Sequence, residues 1–382
     1  MHLMVILEDR ISEWESKGEI LEGYFNPAGA FETVTVFGLV ADQPDVATLE
    51  RLCAPACHQY INAGIDRRYL MLSTAGLRPE LLFRRLRRLT PLVPLSRPDV
   101  IRGYGDGLAA VAAAAVSHET GTPFAVSVHM TADVEIQARY LGAPDRLWRR
   151  FLRSAVNRSF QGAGSVMAAY APILEYLPPS VTDKAIVVPN VVGISPRPEL
   201  QTRREGPMRA LWLGRQMPGR DPRPILEALD ILPTVHLTLI GDGPLHDVAR
   251  RCATHLADRT RFVRAMDNRK LCASLGDYDV LVVNSGFREM PKTVMEAALA
   301  GLPIIVNRLP AVESLEYSRL PVVFVDPNSG SYASALRYME DNPQNLEAKR
   351  RETQDAAWQL WDPQKVATKT ADVLRSLAMK GI

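Results

Sequence analysis

Short blocks of apolar residues alternate along the chain with stretches that predict helices, and each block predicts a buried strand. In the first half these blocks lie at 2–7, 33–37, 69–72, 100–102, 124–128 and 185–188. A second series lies at 209–213, 236–240, 261–263, 280–284, 303–306 and 322–325. Strands that alternate with helices are typical of parallel sheets covered on both faces.

The two series predict two domains. A chain of 382 residues is too long for one ordinary core, so each series is expected to form its own doubly wound α/β domain. The segment 196–207 between them is polar, contains prolines and lacks periodicity. We therefore predict domains at 1–195 and 208–362, joined by this linker.

The segment 279–306 is the most informative about function. It predicts a buried strand, a loop, a helix opened by Pro291 and a second buried strand. A proline at the first helical position would leave the amides of Lys292, Thr293 and Val294 free at the positive end of the helix, which is an anion site. Glu296, one turn beyond Lys292, is placed to receive ribose hydroxyls, although a solvated Lys292–Glu296 salt bridge is the alternative. Together these features predict a site for a nucleotide diphosphate.

Composition narrows the class of protein. The formal net charge of +2 does not favour nucleic acid as a partner. The four cysteines have neither zinc nor disulfide spacing, so reduced thiols in the cytoplasm are expected. The apolar run 1–7 is short for a signal peptide, and the longest uncharged apolar run, 108–116, is short for a membrane span. We expect a cytoplasmic enzyme.

Four segments of the second half, 212–229, 239–245, 278–285 and 290–306, are followed by Glu313 in an order shared with one enzyme family. They resemble the donor domain of retaining glycosyltransferases of the family-4 type, and 98–105, 121–129 and 186–192 match more weakly. The resemblance implies the GT-B architecture, with two Rossmann-like doubly wound parallel-sheet domains facing across a cleft. It also implies an acceptor-side first domain, a nucleotide-sugar donor domain in the second half, and a final helix, 363–382, that crosses back onto the first domain.

The resemblance also implies roles for individual residues. Sugar transfer from a nucleotide leaves a diphosphate, and its growing negative charge requires preplaced cations. Arg215 and Arg220 match the positions that hold this diphosphate, although surface arginines near a loop are the alternative. His129 matches a histidine that faces the donor sugar, although a histidine at a strand end is often only hydrogen-bonded. The implied catalytic residues are His129, Arg215, Arg220 and Glu289, and the implied donor-binding residues are Gly214, Arg288, Met290, Lys292, Thr293 and Glu296.

The chain departs from the family at the residue that usually contacts the donor sugar. Relatives carry two glutamates separated by seven residues, and counting back from Glu296 places Arg288 at the first position, with Glu289 next. We expect Glu289 to reach the sugar hydroxyls. The alternative is that Arg288 contacts an acidic sugar.

Two motifs concern other chemistries. Asp277 and Asp279 form an Asp-x-Asp motif, but it precedes a predicted strand instead of following one, so no essential metal and no cofactor is expected. No G-x-S-x-G nucleophile elbow is present, which argues against a hydrolase.

A basic amphipathic segment lies at 77–89 in the first half. Its arginines are interleaved with leucines and a phenylalanine, a pattern that suits docking to an anionic membrane. A solvated helix packed on its own domain is an equal alternative. The arginines are Arg84, Arg85, Arg87 and Arg88.

These features together predict a nucleotide-sugar-dependent glycosyltransferase. It would move a sugar with retention from a UDP- or GDP-sugar to a glycan or lipid-linked acceptor, in bacterial surface polysaccharide or glycolipid synthesis. A catalytically weak binding or scaffold subunit is the alternative, because Arg288 replaces the usual glutamate. An epimerase or phosphorylase on the same fold rests on fold analogy alone.

Overall fold

The computed structural model describes residues 1–66, 70, 79–94, 97–130, 142–202, 205–309 and 316–380. The predicted strand at 69–72, apart from Leu70, and Glu313 lie outside the described residues. The chain divides into two compact units, Met1–Val191 with Gln364–Ile382, and Val192–Pro363.

The described part of the first unit contains a seven-stranded parallel sheet in the order β3-β2-β1-β4-β5-β6-β7. The order reverses between β1 and β4, as in doubly wound folds. Its strands are β1 (His2–Leu7), β2 (Thr33–Gly38), β3 (Cys57–Asn62), β4 (Val100–Tyr104), β5 (Phe124–Val128), β6 (Ser165–Ala168) and β7 (Ala185–Val187).

The described part of the second unit contains a six-stranded parallel sheet in the order β10-β9-β8-β11-β12-β13. Here the order reverses between β8 and β11, so a ligand crevice is expected at the carboxyl ends of these two strands. Its strands are β8 (Met208–Leu213), β9 (Val235–Ile240), β10 (Thr260–Val263), β11 (Val280–Val283), β12 (Ile304–Asn307) and β13 (Val323–Val325).

Helices pack on both sheets. In chain order they are α1 (Ile11–Ser16), α2 (Val46–Cys53), α3 (Pro79–Arg87), α4 (Leu108–Thr120), α5 (Ala143–Gly162), α6 (Arg223–Ala228), α7 (His246–Cys252), α8 (Asn268–Ser274), α9 (Lys292–Leu299), α10 (Ser329–Asp341), α11 (Pro343–Trp361) and α12 (Pro363–Lys380).

Small side chains bring α4 close to β4 in the first unit. Most of α4 is alanine and valine, and nearly all of these residues are buried. A Cβ added to Gly103 on β4 would lie 3.1 Å from the Cβ of Ala113. The helix therefore begins directly after β4 and runs back across the sheet, which leaves the carboxyl ends of the strands for loops.

Two strands were not predicted. β3 is the edge strand, and its sequence CHQYIN is mostly polar because its side chains are half-buried or exposed. β6 has four residues, which is too short to show a strand pattern of its own.

The boundary between the units also differs from the predicted linker, because Val192 to Pro207 belongs to the second unit. Arg197 donates hydrogen bonds to Gln354 and Asp355 on α11, and Gln354 Nε2 donates to the carbonyl of Pro198 at 2.8 Å. In the first unit, Leu374 and Leu377 of α12 are buried in the same apolar core as the strands.

Candidate active site

The loops after β8 and β9 touch in the second unit, and glycines permit the contact. Gly241 has a φ of +139°, and a Cβ there would lie 2.0 Å from the carbonyl oxygen of Gly214. A Cβ on Gly243 would lie 2.2 Å from the carbonyl oxygen of Gln216. Gln216 is fully buried, and its Nε2 donates to the carbonyl of Gly241 at 3.0 Å. The two loops therefore form one platform at the carboxyl edge of the sheet.

This platform carries Gly214, Arg215 and Arg220. The amide of Gly214 donates to the carbonyl of Ile240 at 3.1 Å, so Gly214 shapes the loop through its backbone. Arg215 is exposed, and no side chain of the described residues forms an ion pair with it. Arg220 closes a tight turn in which its amide donates to the carbonyl of Met217 at 2.7 Å. Both arginines thus lie on the loop that follows β8, beside the point where the strand order reverses.

Arg220 forms an ion pair with Glu289. The side chains of Arg220 and Glu289 are 27% and 12% exposed, and the Arg220 guanidinium carbon lies 5.1 Å from the centroid of the Phe287 ring. Burial and then the charge of Glu289 raise the pKa of Tyr317, so this phenol is neutral beside the pair. The sequence led us to expect Glu289 at the sugar hydroxyls. In the structure its carboxylate pairs with Arg220, and its contact with the sugar stays a prediction.

The loop after β11 is tied to the loop after β8. The amide of Gly286 donates to the carbonyl of Gly219 at 2.7 Å, and Asn284 Nδ2 donates to the carbonyl of Asp221 at 2.8 Å. Arg288 lies on this loop and is half-buried. Met290 is buried, so its side chain is part of the core and only its backbone can face a ligand.

The N-terminus of α9 differs in two details from the sequence prediction. Pro291 is the N-cap, with an extended conformation, and the first helical residue is Lys292. The amide of Val294 donates to the carbonyl of Pro291 at 3.1 Å and is therefore not free. The amide of Thr293 has no acceptor among the described residues, and no side chain caps this helix. The N-terminus of α9 therefore offers fewer free amides than predicted, because the amide of Val294 is already hydrogen-bonded. The amide of Thr293 at this positive end remains suited to binding an anion.

Glu296 is buried at 1% exposure, and its contacts exclude a solvated salt bridge on the helix surface. Its Oε1 accepts hydrogen bonds from Asn268 Nδ2 at 2.8 Å and from the amide of Gly193 at 3.4 Å. Sequence reasoning missed Asn268. It lies 28 residues before Glu296 and opens α8, and its short polar side chain gave no signal beyond that of an ordinary helix start.

His129 lies directly after β5 in the first unit. Its Nδ1 lies 2.7 Å from Asn190 Oδ1, and because an amide oxygen only accepts, Nδ1 carries the proton. The imidazole packs on Tyr104, with 4.2 Å between ring centroids and 33° between ring planes. These contacts fix both the tautomer and the orientation of the ring.

The Asp-x-Asp motif has a structural role at Asp279. This residue is 1% exposed, and its Oδ2 accepts the backbone amide of Arg209 at 2.8 Å. Among the described residues, no group of three histidine, cysteine, aspartate or glutamate side chains is placed to hold a metal ion.

The apolar stripe of α3 packs inside the first unit, because Leu82, Leu86 and Leu89 are buried. Arg87 forms an ion pair with Glu119 on α4. The remaining arginines of the segment are the exposed Arg84 and Arg88 and the half-buried Arg85. Within the ranges that the structure describes, no helix has both the length and the apolar character needed to cross a membrane.

A groove of about 830 Å³ runs beside α12 in the first unit. It is lined by residues of this helix and by residues near β6 and β7, and none of the predicted site residues lies in it. We therefore place the candidate site at the loops after β8 and β11, where the predicted diphosphate and ribose residues gather.

Comparison with known proteins identifies the kind of domain that carries these residues. Residues 207–342 match the family described as "Glycosyl transferases group 1", and this range contains every predicted residue of the second unit. The glycogen synthase of Mycobacterium tuberculosis is 26% identical over 289 residues, which cover 72% of this chain and 68% of that protein.

Two solved structures share the fold over nearly the whole chain. The HepE protein of Anabaena, in complex with UDP and glucose, aligns with a TM-score of 0.68 at 17% identity and covers 98% of this chain and 100% of its own. WaaG, a glycosyltransferase involved in lipopolysaccharide biosynthesis, aligns with a TM-score of 0.65 at 14% identity, covering 97% and 99%. At these identities the matches show the fold, which is the GT-B arrangement of two Rossmann-like domains. Residues 207–342 form a glycosyl transferases group 1 domain, and the chain is a glycosyltransferase.

Proposed function

We propose that the protein transfers a sugar from a nucleotide diphosphate donor, most readily a UDP-sugar, to a glycan or lipid-linked acceptor with retention of configuration. One observation carries the proposal. Arg215 and Arg220, the N-terminus of α9 and Glu296 all lie at the carboxyl edge of one sheet, at or beside the switch between β8 and β11. This edge is where doubly wound sheets bind nucleotides.

The diphosphate is the part of the donor that most needs stabilisation by positive charge from the protein. As the glycosidic bond breaks, negative charge grows on the departing phosphate and positive charge grows on the anomeric carbon. Arg215 is exposed and available to phosphate, and Arg220 is held in a fixed orientation by Glu289 and Phe287. A guanidinium can bind phosphate with two parallel hydrogen bonds, and the amide of Thr293 adds a donor at the positive end of α9. No metal ion is required for this stabilisation.

Glu296 is the proposed ribose residue. The carboxylate has one oxygen on Asn268 and Gly193, which fixes its orientation inside the unit. A carboxylate accepts hydrogen bonds from hydroxyls, so a vicinal diol such as that of ribose suits it. HepE was solved with UDP, and a uridine nucleotide is therefore our first choice of donor.

In the first unit, His129 is the proposed catalytic residue. WaaG acts in lipopolysaccharide biosynthesis, and we propose a related surface glycan or glycolipid pathway for this chain. The exposed Arg84 on α3 and Arg88 just beyond it, with the exposed Arg150 and Arg153 on α5, supply positive charge for an anionic membrane that carries such an acceptor.

A weak transferase or binding subunit is the second candidate. Arg220 is already paired with Glu289, which reduces the positive charge available to the leaving group. Arg288 also replaces the glutamate whose carboxylate usually contacts the donor sugar. Turnover distinguishes this candidate from the first.

The test is a donor screen on the purified protein in the presence of EDTA. UDP- and GDP-sugars are first ranked by the rise they cause in the melting temperature, and slow hydrolysis of the best donor is then followed by release of the nucleoside diphosphate. We expect one UDP-sugar to stabilise the protein and to be hydrolysed. Stabilisation without hydrolysis or transfer would favour the binding subunit, and no response to any nucleotide sugar would overturn both candidates.

A further inference from the structure

An arginine is buried beneath His129 in the first unit. Arg102 occupies the third position of β4, between Val5 of β1 and Ala125 of β5 in the parallel register, and it is 8% exposed. Its Nε donates to Ser127 Oγ at 2.8 Å. Its guanidinium carbon lies 5.3 Å from the centroid of the Tyr104 ring, on which His129 also packs.

No carboxylate of the described residues compensates this charge. The groups that act electrostatically on Arg102 are the phenols of Tyr104 and Tyr24, which are hydrogen-bonded to each other. Burial and the neighbouring Tyr24 raise the pKa of Tyr104 well above its ordinary value, so Tyr104 is neutral and is no counter-ion. Burial also lowers the pKa of Arg102, but a guanidinium remains protonated at neutral pH.

Such a charge is costly to the fold. Burying an ion without a partner costs several kcal/mol even after the surroundings relax. A methionine or leucine at this position of β4 would pack without that cost. Because the fold does not need the buried charge of Arg102, this charge indicates an anionic ligand.

Arg102 faces a cavity of about 20 Å³, which has room for one group of the size of a water molecule. The buried Ser127 also lines it, and since its oxygen accepts from Arg102, its hydroxyl hydrogen can be donated into the cavity. His129 and Asn190 also line the cavity, and both are half-buried. Arg102 and Ser127 therefore form a floor of hydrogen-bond donors below the proposed catalytic residue.

We infer that this cavity receives one anionic oxygen of a carboxylate or phosphate on the acceptor, and that the enzyme therefore uses an acidic acceptor. The inference rests on the proposed function, in which the first unit binds the acceptor. The volume admits a single oxygen and not a whole carboxylate or phosphate group, so the rest of the acid lies outside the cavity. The Nη groups of Arg102 and the hydroxyl of Ser127 supply charge-assisted hydrogen bonds to that oxygen.

The experiment measures anion binding without any transfer reaction. With saturating UDP present to fill the proposed diphosphate site, the melting temperature is followed during titration with acetate, with inorganic phosphate and with acetamide, which has the shape of acetate without its charge. We compare the unaltered protein with Arg102→Met and with Arg97→Met, which removes an exposed arginine of the same unit.

We expect a saturable rise in melting temperature with acetate or phosphate, several times larger than that with acetamide, in the unaltered protein and in Arg97→Met. Arg102→Met should lose this response and should melt no lower than the unaltered protein in the absence of anions, because an uncompensated charge has been removed. The anion that saturates at the lower concentration identifies the acid as a carboxylate or a phosphate. An anion response in Arg102→Met equal to that of the unaltered protein would show that the anion binds elsewhere, and an acetamide response as large as that of acetate would show that charge is not recognised. Either result would overturn the inference.

Ser127→Ala provides a second variant if Arg102→Met does not fold. It removes one donor without changing charge, so it should weaken the anion response severalfold, and an unchanged response would overturn the inference. UDP binding is measured on the same samples. Failure of the unaltered protein to bind UDP would refute the proposed function. An unchanged anion response in Arg102→Met or Ser127→Ala would refute only the inference about Arg102.

Discussion

Replacing Gly241 by alanine should push the loop after β9 away from the loop after β8, which carries Arg215 and Arg220. The added Cβ would lie 2.0 Å from the carbonyl oxygen of Gly214 and 2.8 Å from its carbonyl carbon. Ordinary contact begins at 3.4 Å, so the loops must part by about 1.4 Å. Both neighbours are backbone atoms, and no side-chain rotation can relieve the overlap.

The size of the effect follows from two contributions. Alanine at a φ of +139° costs about 1–3 kcal/mol of backbone strain, and an overpacked contact costs about 1–3 kcal/mol more. We therefore expect Gly241→Ala to lower the free energy of unfolding by about 2–6 kcal/mol. Because a displacement of about 1 Å in a catalytic group can cost about a hundredfold in rate, kcat/KM should fall by about that factor.

Urea unfolding and steady-state kinetics test these numbers with two controls. Gly214 has almost the same φ, +138°, but no atom lies within 4 Å of its added Cβ, so Gly214→Ala reports the strain alone. Gly206 also has a positive φ, +114°, and open space around it, so Gly206→Ala should leave kcat/KM unchanged. The reasoning is refuted if Gly241→Ala is no less stable than Gly214→Ala, or if its kcat/KM matches that of Gly206→Ala.

Three further substitutions probe the same site. Arg220→Ala should lower turnover by about a hundredfold, because it removes charge stabilisation of the departing diphosphate. Steady-state rates with the best donor test this, and an unchanged rate would contradict the role of Arg220. Glu289→Gln should lower turnover more than Arg288→Ala, since it releases Arg220 from its ion pair; the reverse order in the same assay would point to an acidic donor sugar. Asn268→Ala should weaken UDP binding by about fivefold to tenfold, because it frees the carboxylate of Glu296 to rotate; calorimetry that shows no change would remove Asn268 from the site.

Much of the fold was predictable because short apolar blocks that alternate with helical stretches are typical of strands in covered parallel sheets. The edge strand β3 was missed for the same reason, since its half-exposed side chains are polar and leave no block. The N-terminus of α9 was predicted from Pro291, but the exact start of the helix depends on how the backbone turns at that proline, which the residue type alone does not fix.

The contacts within the site were not predictable, because they join residues that are distant in the chain. Arg220 and Glu289 are 69 residues apart, and only the adjacency of β8 and β11 brings their loops together. Arg102 looked like one more residue of a short strand. Its charge became visible as uncompensated only when the neighbouring strands placed phenols and a serine, and no carboxylate of the described residues, around it.

The central claim is that the second unit binds a nucleoside diphosphate through Arg215 and Arg220. Calorimetric titration with UDP and with UMP tests it most directly, because the two ligands share the base and ribose and differ in one phosphate. We expect UDP to bind the unaltered protein at least tenfold more tightly than UMP, and we expect this difference to disappear when both arginines are replaced by alanine while UMP affinity changes little. Equal affinities for UDP and UMP in the unaltered protein, or an undiminished preference for UDP in the double variant, would contradict the account.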